Sequence, residues 1–425
     1  MSTLTEDQAR AYMHKLLAAM RQAGGSDLFI SHDFPPSMKA NGSMQPLTQQ
    51  KLTGDVTQTL AHALMNEKQR AEFAKEMECN FAISIPNISR FRVNVYVQQQ
   101  NVAMVCRTIA SEIPNFEKLE LPPVLRDVIM NKRGLVLVVG GTGSGKSTTL
   151  AALIDYRNST SPGHIITVED PVEYVHVSKK SLISHREVGV DTHSWHHALK
   201  NTLRQAPDVI LIGEIRDPET MEHAIAFAET GHLCLGTLHA NNANQAIDRI
   251  INFFPEERRN QLLMDLSANL RSIVSQRLVR TEDGKGRKAA IEILLNTPTI
   301  AERIFKGQFG DIKGLMEKSR ELGMRTFDWA LFELYDAGHI GFEEAIRNAD
   351  SANELRLAIK LKSRRGEPSS ASGPSLSFEK ELSAEELAAE REAELDRQQK
   401  RRRELEDQEL ERKMKEKGMD SRFTG

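Results

Sequence analysis

A glycine-rich segment that ends in a lysine and a serine is the clearest chemical pattern in the sequence. Residues 134–154 read GLVLVVGGTGSGKSTTLAALI, so an apolar run leads into glycines and then into helix-forming residues. From Gly140 to Ser147 the segment fits the spacing G-x-x-x-x-G-K-[ST], between a predicted strand and a predicted helix. A glycine-rich turn without a ligand is the alternative, but this context favours a phosphate-binding loop.

The residue types of the loop indicate what it binds. Glycines let the backbone wrap closely, so that amide N–H groups point at phosphate oxygens, and the positive end of the following helix favours the same anion. Lys146 is expected to reach the β- and γ-phosphates, and the Ser147 hydroxyl to bind Mg²⁺. We therefore predict a nucleoside triphosphate site formed by Gly140, Gly141, Thr142, Gly143, Ser144, Gly145, Lys146, Ser147 and Thr148.

Acidic residues follow two other apolar runs, as hydrolysis would require. The run DVILIGE ends in Glu214, and TVEDPVEY contains Glu169, Asp170 and Glu173. Chemistry in open α/β sheets takes place at the carboxyl ends of the strands. A solvated loop acid is the alternative for any one of them, but three carboxylates within five residues are not buried without a cation or hydrogen-bond partners. The pattern favours a hydrolytic site.

Two histidines border a further apolar run, TGHLCLGTLHA. His232 precedes the predicted strand and His239 follows it, where an imidazole could sense a γ-phosphate. A structural hydrogen-bonding role is the alternative for either residue. The chain has 13 histidines, so those in SWHHA receive no functional weight.

The patterns divide the chain into three parts. Residues 1–110 mix amphipathic helices with alternating strands and predict a small α+β domain, whose first helix has Thr3 and Glu6 spaced as a capping box. Residues 111–123 are predicted to be a linker. From residue 124 to residue 365, buried strands alternate with helices, which indicates a mostly parallel sheet. Residues 366–425 predict a flexible, charged and partly helical tail, with a docking tail as the alternative.

The composition excludes several classes of protein. Lysine and arginine total 56 against 59 aspartates and glutamates, which argues against a dedicated nucleic-acid surface. The three cysteines are widely separated and are predicted to be buried and free. The chain contains no apolar stretch of the roughly 20 residues that a membrane-spanning helix needs. A cytoplasmic protein without membrane insertion is expected.

The motifs, in this order, resemble the secretion-superfamily ATPases that drive type IV pili. In the terms of that family, GGTGSGKS is the Walker A loop, TVEDPVEY the Asp box, DVILIGEIRD the Walker B strand and TGHLCLGTLHA the His box. The resemblance extends from about residue 5 to about residue 362 and is greatest to the PilT/PilU retraction ATPases, especially the PilU branch. It implies an α/β fold with a PAS-like N-terminal domain and a RecA-like ATPase domain.

The resemblance also implies roles for individual residues, with ATP and Mg²⁺ as ligands. It assigns Glu173 as the general base for water and Glu214 as support, with Ser147, for the metal or its waters. His232 and His239 become γ-phosphate sensors or couplers. Arg92 and Arg107 match positions at which family members supply arginines across a subunit interface, a role that suits a guanidinium because it neutralises charge on the phosphoryl group.

The assembly and partners that the resemblance implies are a homohexameric ring, an inner-membrane pilus platform protein and a PilT-like sibling ATPase. The ring is expected to act at the cytoplasmic side of the inner-membrane pilus base. A tetracysteine zinc motif and a longer N-terminal region, which assembly-type relatives carry, are missing. The retraction-linked segment of PilT-type members resembles AIRNLIRE, whereas this chain has TIAERIFKGQF in its place.

The expected function is therefore an ATP-hydrolysing motor for pilus retraction, acting as an accessory to a PilT-like sibling. A nucleotide-binding scaffold or regulator at the pilus base, with little turnover, is the alternative. A P-loop kinase or transport ATPase is disfavoured because neither a substrate lid pattern nor an ABC-type signature is present.

Overall fold

The computed structural model describes residues 4–40, 43–86, 88–109 and 113–366. In these residues the helices are α1 (Glu6–Gln22), α2 (Gly54–Leu64), α3 (Glu67–Glu76), α4 (Val124–Ile129), α5 (Lys146–Thr160), α6 (Trp195–Thr202), α7 (Pro218–Glu229), α8 (Ala243–Asn252), α9 (Arg259–Asn269), α10 (Pro298–Phe305), α11 (Ile312–Lys318), α12 (Phe327–Asp336), α13 (Phe342–Asn348) and α14 (Ala352–Lys362). The strands are β1 (Asp27–Ile30), β2 (Ser37–Ala40), β3 (Ser43–Pro46), β4 (Glu78–Ile85), β5 (Ser89–Gln98), β6 (Asn101–Ile109), β7 (Gly134–Val139), β8 (Gly163–Glu169), β9 (Ser181–Glu187), β10 (Val209–Ile212), β11 (Leu233–Leu238), β12 (Leu270–Arg280) and β13 (Arg287–Leu295).

The N-terminal part forms an antiparallel sheet in the order β3-β2-β1-β6-β5-β4. Strand β5 shows the alternation that such a sheet requires. Phe91, Val93 and Val95 are buried, and the residues between them lie on the more open face. This alternation covers one face with apolar side chains, on which α1 and α2 pack. The α+β character predicted for this part is observed.

The first helix begins later than its sequence pattern suggested. It starts at Glu6, and Thr5 is the N-cap: the Gln8 backbone N–H donates to the Thr5 hydroxyl, while the Gln8 side chain accepts from the Thr5 backbone. The capping box predicted at Thr3 and Glu6 is therefore wrong by two residues.

The second sheet has the order β13-β12-β7-β11-β10-β8-β9, and all neighbouring strands are parallel except β12 and β13. Its central strand β7 is buried on both faces. Leu135 and Leu137 point into a core formed with α7 to α9, and Val136 and Val138 into one formed with α4 and α5. The mostly parallel sheet is as predicted.

The described part of the predicted linker contributes to this second core. Phe116 and Leu121 are buried against α4 and α5, so residues 113–123 pack on the sheet instead of spanning open solvent. The domain boundaries themselves stay a prediction. The predicted tail lies outside the described residues, apart from residue 366.

All three cysteines are buried and free, and burial raises the pKa of Cys79 to about 11 and that of Cys106 to about 12. Within the described part of the chain, every helix is too short or too polar to cross a bilayer.

Candidate functional site

The glycine-rich loop joins the end of β7 to the start of α5 and wraps tightly against β12. A Cβ added at Gly140, where φ is +157°, would lie 2.5 Å from the backbone oxygen of Gln276. A Cβ added at Gly145, where φ is +89°, would lie 2.7 Å from the Gln276 side-chain nitrogen. Both positions therefore exclude larger residues, because the backbone lies against a buried neighbour.

Lys146 is the first residue of α5, and its ammonium group lies against the loop. It donates to the backbone oxygens of Gly140 and Gly141 at 2.9 and 3.0 Å. Burial lowers its pKa, while the charges of Glu214 and Glu173 act in the opposite direction. Both carboxylates line the same cavity as the lysine, as an anion site with a metal would require.

Glu214 follows β10 at the carboxyl edge of the sheet. It accepts a hydrogen bond from Arg216 at 2.5 Å, and its Oε1 lies 3.1 Å from Nε2 of His239, which follows the neighbouring strand β11. Burial alone would raise the pKa of Glu214, but Arg216, His239 and Lys146 outweigh it and lower the pKa. Glu214 is therefore held as a carboxylate beside two cationic or polarisable partners.

The acids of TVEDPVEY lie beside Glu214 because β8 and β10 are parallel neighbours. Gly213 makes this approach possible: a Cβ there would lie 3.1 Å from the Glu169 Cα. The Glu173 backbone N–H points at Glu169 Oε2 at 3.5 Å, and the Tyr174 hydroxyl bonds to Thr148 of the loop at 3.0 Å. The two acidic segments and the phosphate loop thus meet at one edge of the sheet.

These groups surround an open cavity of about 570 Å³, a volume typical of small-molecule sites. Residues that the sequence predicted line much of it, namely Thr142, Gly143, Ser144, Gly145, Lys146, Ser147, Thr148, Glu173, Glu214 and His239. Gly140 and Gly141 form the base of the loop, where their carbonyls bind Lys146. The cavity can therefore present backbone amides, a lysine and two acids to a polyphosphate.

Three predicted residues lie elsewhere. His232 precedes β11, at the opposite edge of the sheet from His239, and its Nδ1 lies 3.1 Å from the Thr230 hydroxyl. Seven residues of extended chain span about 23 Å, so His232 is remote from the cavity of its own chain. Arg92 and Arg107 lie on β5 and β6 of the N-terminal sheet and do not line this cavity among the described residues.

Sequence reasoning missed several residues that shape the site. Trp195, Arg216, Thr237 and Arg287 also line the cavity. Arg216 and Thr237 lie within quoted motifs, DVILIGEIRD and TGHLCLGTLHA, whereas Trp195 and Arg287 come from segments without a motif. Gln276 was also missed: its side-chain oxygen accepts from the Thr149 hydroxyl at 2.7 Å, which fixes the first turn of α5.

Comparison with known proteins agrees with the fold. The family described as "Type II/IV secretion system protein" matches residues 9–319. The type IV pilus ATPase PilU of Pseudomonas aeruginosa is 58% identical over 347 residues, which cover 82% of this chain and 91% of that protein. The type IV pilus retraction ATPase PilT of the same organism is 42% identical over 335 residues, covering 79% and 97%.

A solved structure of the pilus retraction motor PilT with bound ADP has the same fold. It is 40% identical, with a TM-score of 0.75, and the match covers 80% of this chain and 98% of that one. Fold and site together define a P-loop ATPase with a RecA-like domain, as predicted. The chain belongs to the Type II/IV secretion system protein family and, within it, to the PilT/PilU-type ATPases.

Proposed function

We propose that the chain is an ATP-hydrolysing, hexameric motor for type IV pilus retraction. The observation that carries this proposal is the cavity in which Lys146, Glu173 and Glu214 meet, in a chain 58% identical to a type IV pilus ATPase over most of its length. The presence of these groups favours turnover over nucleotide binding alone.

The phosphate loop holds the substrate in this proposal. Its amide groups and the N-terminus of α5 bind the phosphates, and Lys146 moves from the loop carbonyls to the β- and γ-phosphates. Glu173, the last acid of its segment, orients and deprotonates the attacking water. His239 contacts the γ-phosphate and links its presence to Glu214, with which it is already paired.

The residues present fit a magnesium ion, because Ser147 and Glu214 offer the oxygen ligands that this hard cation prefers. Ser147 and Glu214 would hold the ion, partly through water, and it would supply neutralisation of charge on the β- and γ-phosphates. Arg216 fixes the orientation of the Glu214 carboxylate through its hydrogen bond.

Arg92 and Arg107 serve a neighbouring subunit in this proposal. Both are on the N-terminal sheet and neither belongs to the cavity of the same chain, as described above. In a ring they can approach the γ-phosphate of an adjacent protomer, which makes hydrolysis depend on assembly. His232, at the far edge of the sheet, is left without a direct phosphate contact and keeps only a coupling role.

We place the motor at the cytoplasmic face of the inner-membrane pilus platform, as an accessory to a PilT-like sibling. The segment TIAERIFKGQF supports the accessory role because it departs from the pattern of stand-alone retraction ATPases. It forms α10 and the turn that follows, and Phe305 in it is 55% exposed. The scaffold alternative differs from the motor in one respect, the absence of turnover.

The biochemical test compares ATP binding and hydrolysis. Glu173→Gln is expected to retain ATP affinity within a few-fold and to lose turnover, whereas Lys146→Ala is expected to lose both. Binding is measured with a fluorescent ATP analogue and turnover by phosphate release. Wild-type protein that binds ATP but hydrolyses no faster than Lys146→Ala would establish the scaffold.

The cellular test uses a strain in which this chain is the only retraction-type ATPase. Under the accessory hypothesis pili extend but do not retract, and retraction returns when the sibling is restored. The sibling is also restored in a form that cannot hydrolyse ATP, so that any retraction draws on this chain alone. Forceful retraction without the sibling would instead establish an independent motor.

A further inference from the structure

A group of histidines outside the nucleotide cavity has no part in the chemistry above. His196 is the second residue of α6, and Glu219 and His223 lie one turn apart on α7, so both face the same side of that helix. One ligand atom from each of the three lies within 4.8 Å of the other two. His196 Nδ1 is hydrogen-bonded to Glu219 Oε1, and the His196 and His223 rings are 6.4 Å apart.

A surface hydrogen bond explains why the His196 and Glu219 side chains lie together, but it does not explain why the His223 side chain also lies next to them. Two imidazoles converge on one carboxylate, and two imidazoles repel each other when both are protonated. Neutral imidazole is the form that binds metal ions, so both rings can serve as ligands.

We propose that His196, Glu219 and His223 form a binding site for a divalent transition-metal ion, with Zn²⁺ as the preferred occupant. Two nitrogens and one carboxylate oxygen are a ligand set that zinc uses, and water completes four-coordination. Atoms bound to one zinc ion at about 2.1 Å are at most about 4.2 Å apart. His196 and Glu219 are exposed and can close the small remaining gap by side-chain rotation.

Among the described residues, no second group of three histidine, cysteine or carboxylate ligand atoms converges in this way. The cysteines are buried, and the pKa of each thiol is raised, so the thiolate form that binds zinc is disfavoured. His197, adjacent to His196, is outside the group of three, although it is exposed and its ring is 6.0 Å from that of His196. It is therefore a matched control.

The position of the site gives the ion a structural consequence. It would tie α6 to α7, the two helices that precede and follow β10. Trp195 at the start of α6 lines the nucleotide cavity, and Arg216, which binds Glu214, lies two residues before α7. Metal binding therefore restrains the wall of the cavity that carries Glu214.

The test measures Zn²⁺ binding to the full chain without an affinity tag, by competition with a chromophoric chelator. Wild type and His197→Ala are expected to bind one ion per chain with equal affinity. His196→Ala and His223→Ala are each expected to weaken binding more than about tenfold, since even residues behind metal ligands contribute that much. Glu219→Gln is expected to weaken it in the same direction.

Thermal unfolding with and without Zn²⁺ gives a second readout that also checks the fold of each variant. All variants are expected to melt at the wild-type temperature in chelator, because the changed side chains lie at or near the surface. Zinc is expected to raise the melting temperature of wild type and of His197→Ala only. The proposal is overturned if wild type binds no zinc, if His196→Ala binds it with wild-type affinity, or if His197→Ala loses it.

Discussion

Arg92 and Arg107 lie directly opposite each other on the antiparallel strands β5 and β6, so their side chains share one face of the N-terminal sheet. Asp27 is opposite Arg107 on β1, and Arg107 Nε donates to its Oδ1 at 2.6 Å. Asp27 is therefore the acid beside two arginines whose positive charges repel each other. The Arg107 side chain is 68% exposed, which leaves its charge available to an anion outside the chain.

A subunit-mixing experiment tests whether these arginines act in trans. The double variant Arg92→Ala, Arg107→Ala is expected to lose about a thousandfold in turnover, as arginine-finger losses do. Mixed with Lys146→Ala chains, it is expected to regain activity, because mixed rings place an intact cavity beside intact arginines. The control mixes Lys146→Ala with Glu173→Gln, which damage the same cavity and are expected to remain inactive. An Arg-variant mixture no more active than its separate components would contradict the trans role.

The ion pair between Arg90 and Glu187 connects the N-terminal sheet to the acidic segment of the site. Arg90 lies 3.4 Å from the buried Glu187 carboxylate, which also accepts from the Val172 backbone N–H at 3.3 Å. Burial raises the pKa of Glu187, and the Val172 hydrogen bond and Arg90 oppose the rise. The same carboxylate thus contacts β5 and the residue next to Glu173.

Arg90→Ala is therefore expected to affect both stability and turnover. A buried charge that loses its cation destabilises the fold, here by about 1–3 kcal/mol. Because Glu187 also positions Val172, turnover is expected to fall more than ATP affinity. Arg90→Lys, which keeps the charge, is expected to recover part of both losses. Urea unfolding measures stability, ATP binding measures affinity and phosphate release measures turnover. If the ion pair has only a structural role, Arg90→Ala would lower stability without changing turnover per folded chain.

The buried hydrogen bond between Gln276 and Thr149 joins β12 to the first turn of α5. Gln276→Leu leaves the Thr149 hydroxyl facing an apolar group and is expected to lower the free energy of unfolding by about 1–3 kcal/mol. It also removes the side chain against which Gly145 packs, so ATP affinity is expected to fall.

The double variant Gln276→Leu, Thr149→Val is the informative control. Removing both partners avoids an unsatisfied hydroxyl, so the double variant is expected to be more stable than Gln276→Leu alone. Equal stability of the single and double variants, measured by urea unfolding, would show that the hydrogen bond is not what holds the loop.

The elements that the sequence predicted best are those with purely local signals. Strands β7, β8, β10 and β11 are continuous apolar runs because both faces of the sheet are covered. Strand β9 has no such run, because it is the edge strand and its only apolar residues are Leu182 and Ile183. Strand β12 has no such continuous run either, because buried Ser272 and Ser275 interrupt its pattern, although both hydroxyls bond to β13.

The same distinction holds for the site. Lys146 and Glu214 each belong to a short motif, and their positions follow from it. The Gln276 hydrogen bond to Thr149 spans 127 residues, so it depends on the pairing of β12 with β7 and has no local signature. His239 and His232 look equivalent in sequence, but only strand direction decides which of them reaches the carboxyl edge.

Glu292 on β13 makes the free energy of unfolding depend on pH, and this contribution can be measured separately. Its buried carboxyl accepts from the Ala243 backbone N–H at 2.8 Å and from the Ser275 hydroxyl at 3.0 Å. Burial raises its pKa to about 7, although these hydrogen bonds and Arg277 oppose the shift. Ala243 begins α8, which follows His239, so this carboxyl lies behind the His box.

The sign of the effect follows from proton binding. Between the unfolded pKa of 4.5 and a folded pKa of about 7, the folded chain holds a proton on Glu292 that the unfolded chain has released. The contribution of this group to the free energy of unfolding is therefore full at low pH, falls as pH rises through this window and is constant above it.

Glu292→Gln cannot titrate, so its stability relative to wild type is expected to increase with pH across the same window. The increase is at most about 1.4 kcal/mol per pH unit and totals about 3 kcal/mol. Urea unfolding of both proteins at several pH values between 4 and 8 measures this difference. The glutamine oxygen can still accept a hydrogen bond from the Ala243 N–H, so the variant keeps the contact that protonated Glu292 makes there. A difference that stays constant with pH would mean that Glu292 titrates alike in the folded and unfolded chains.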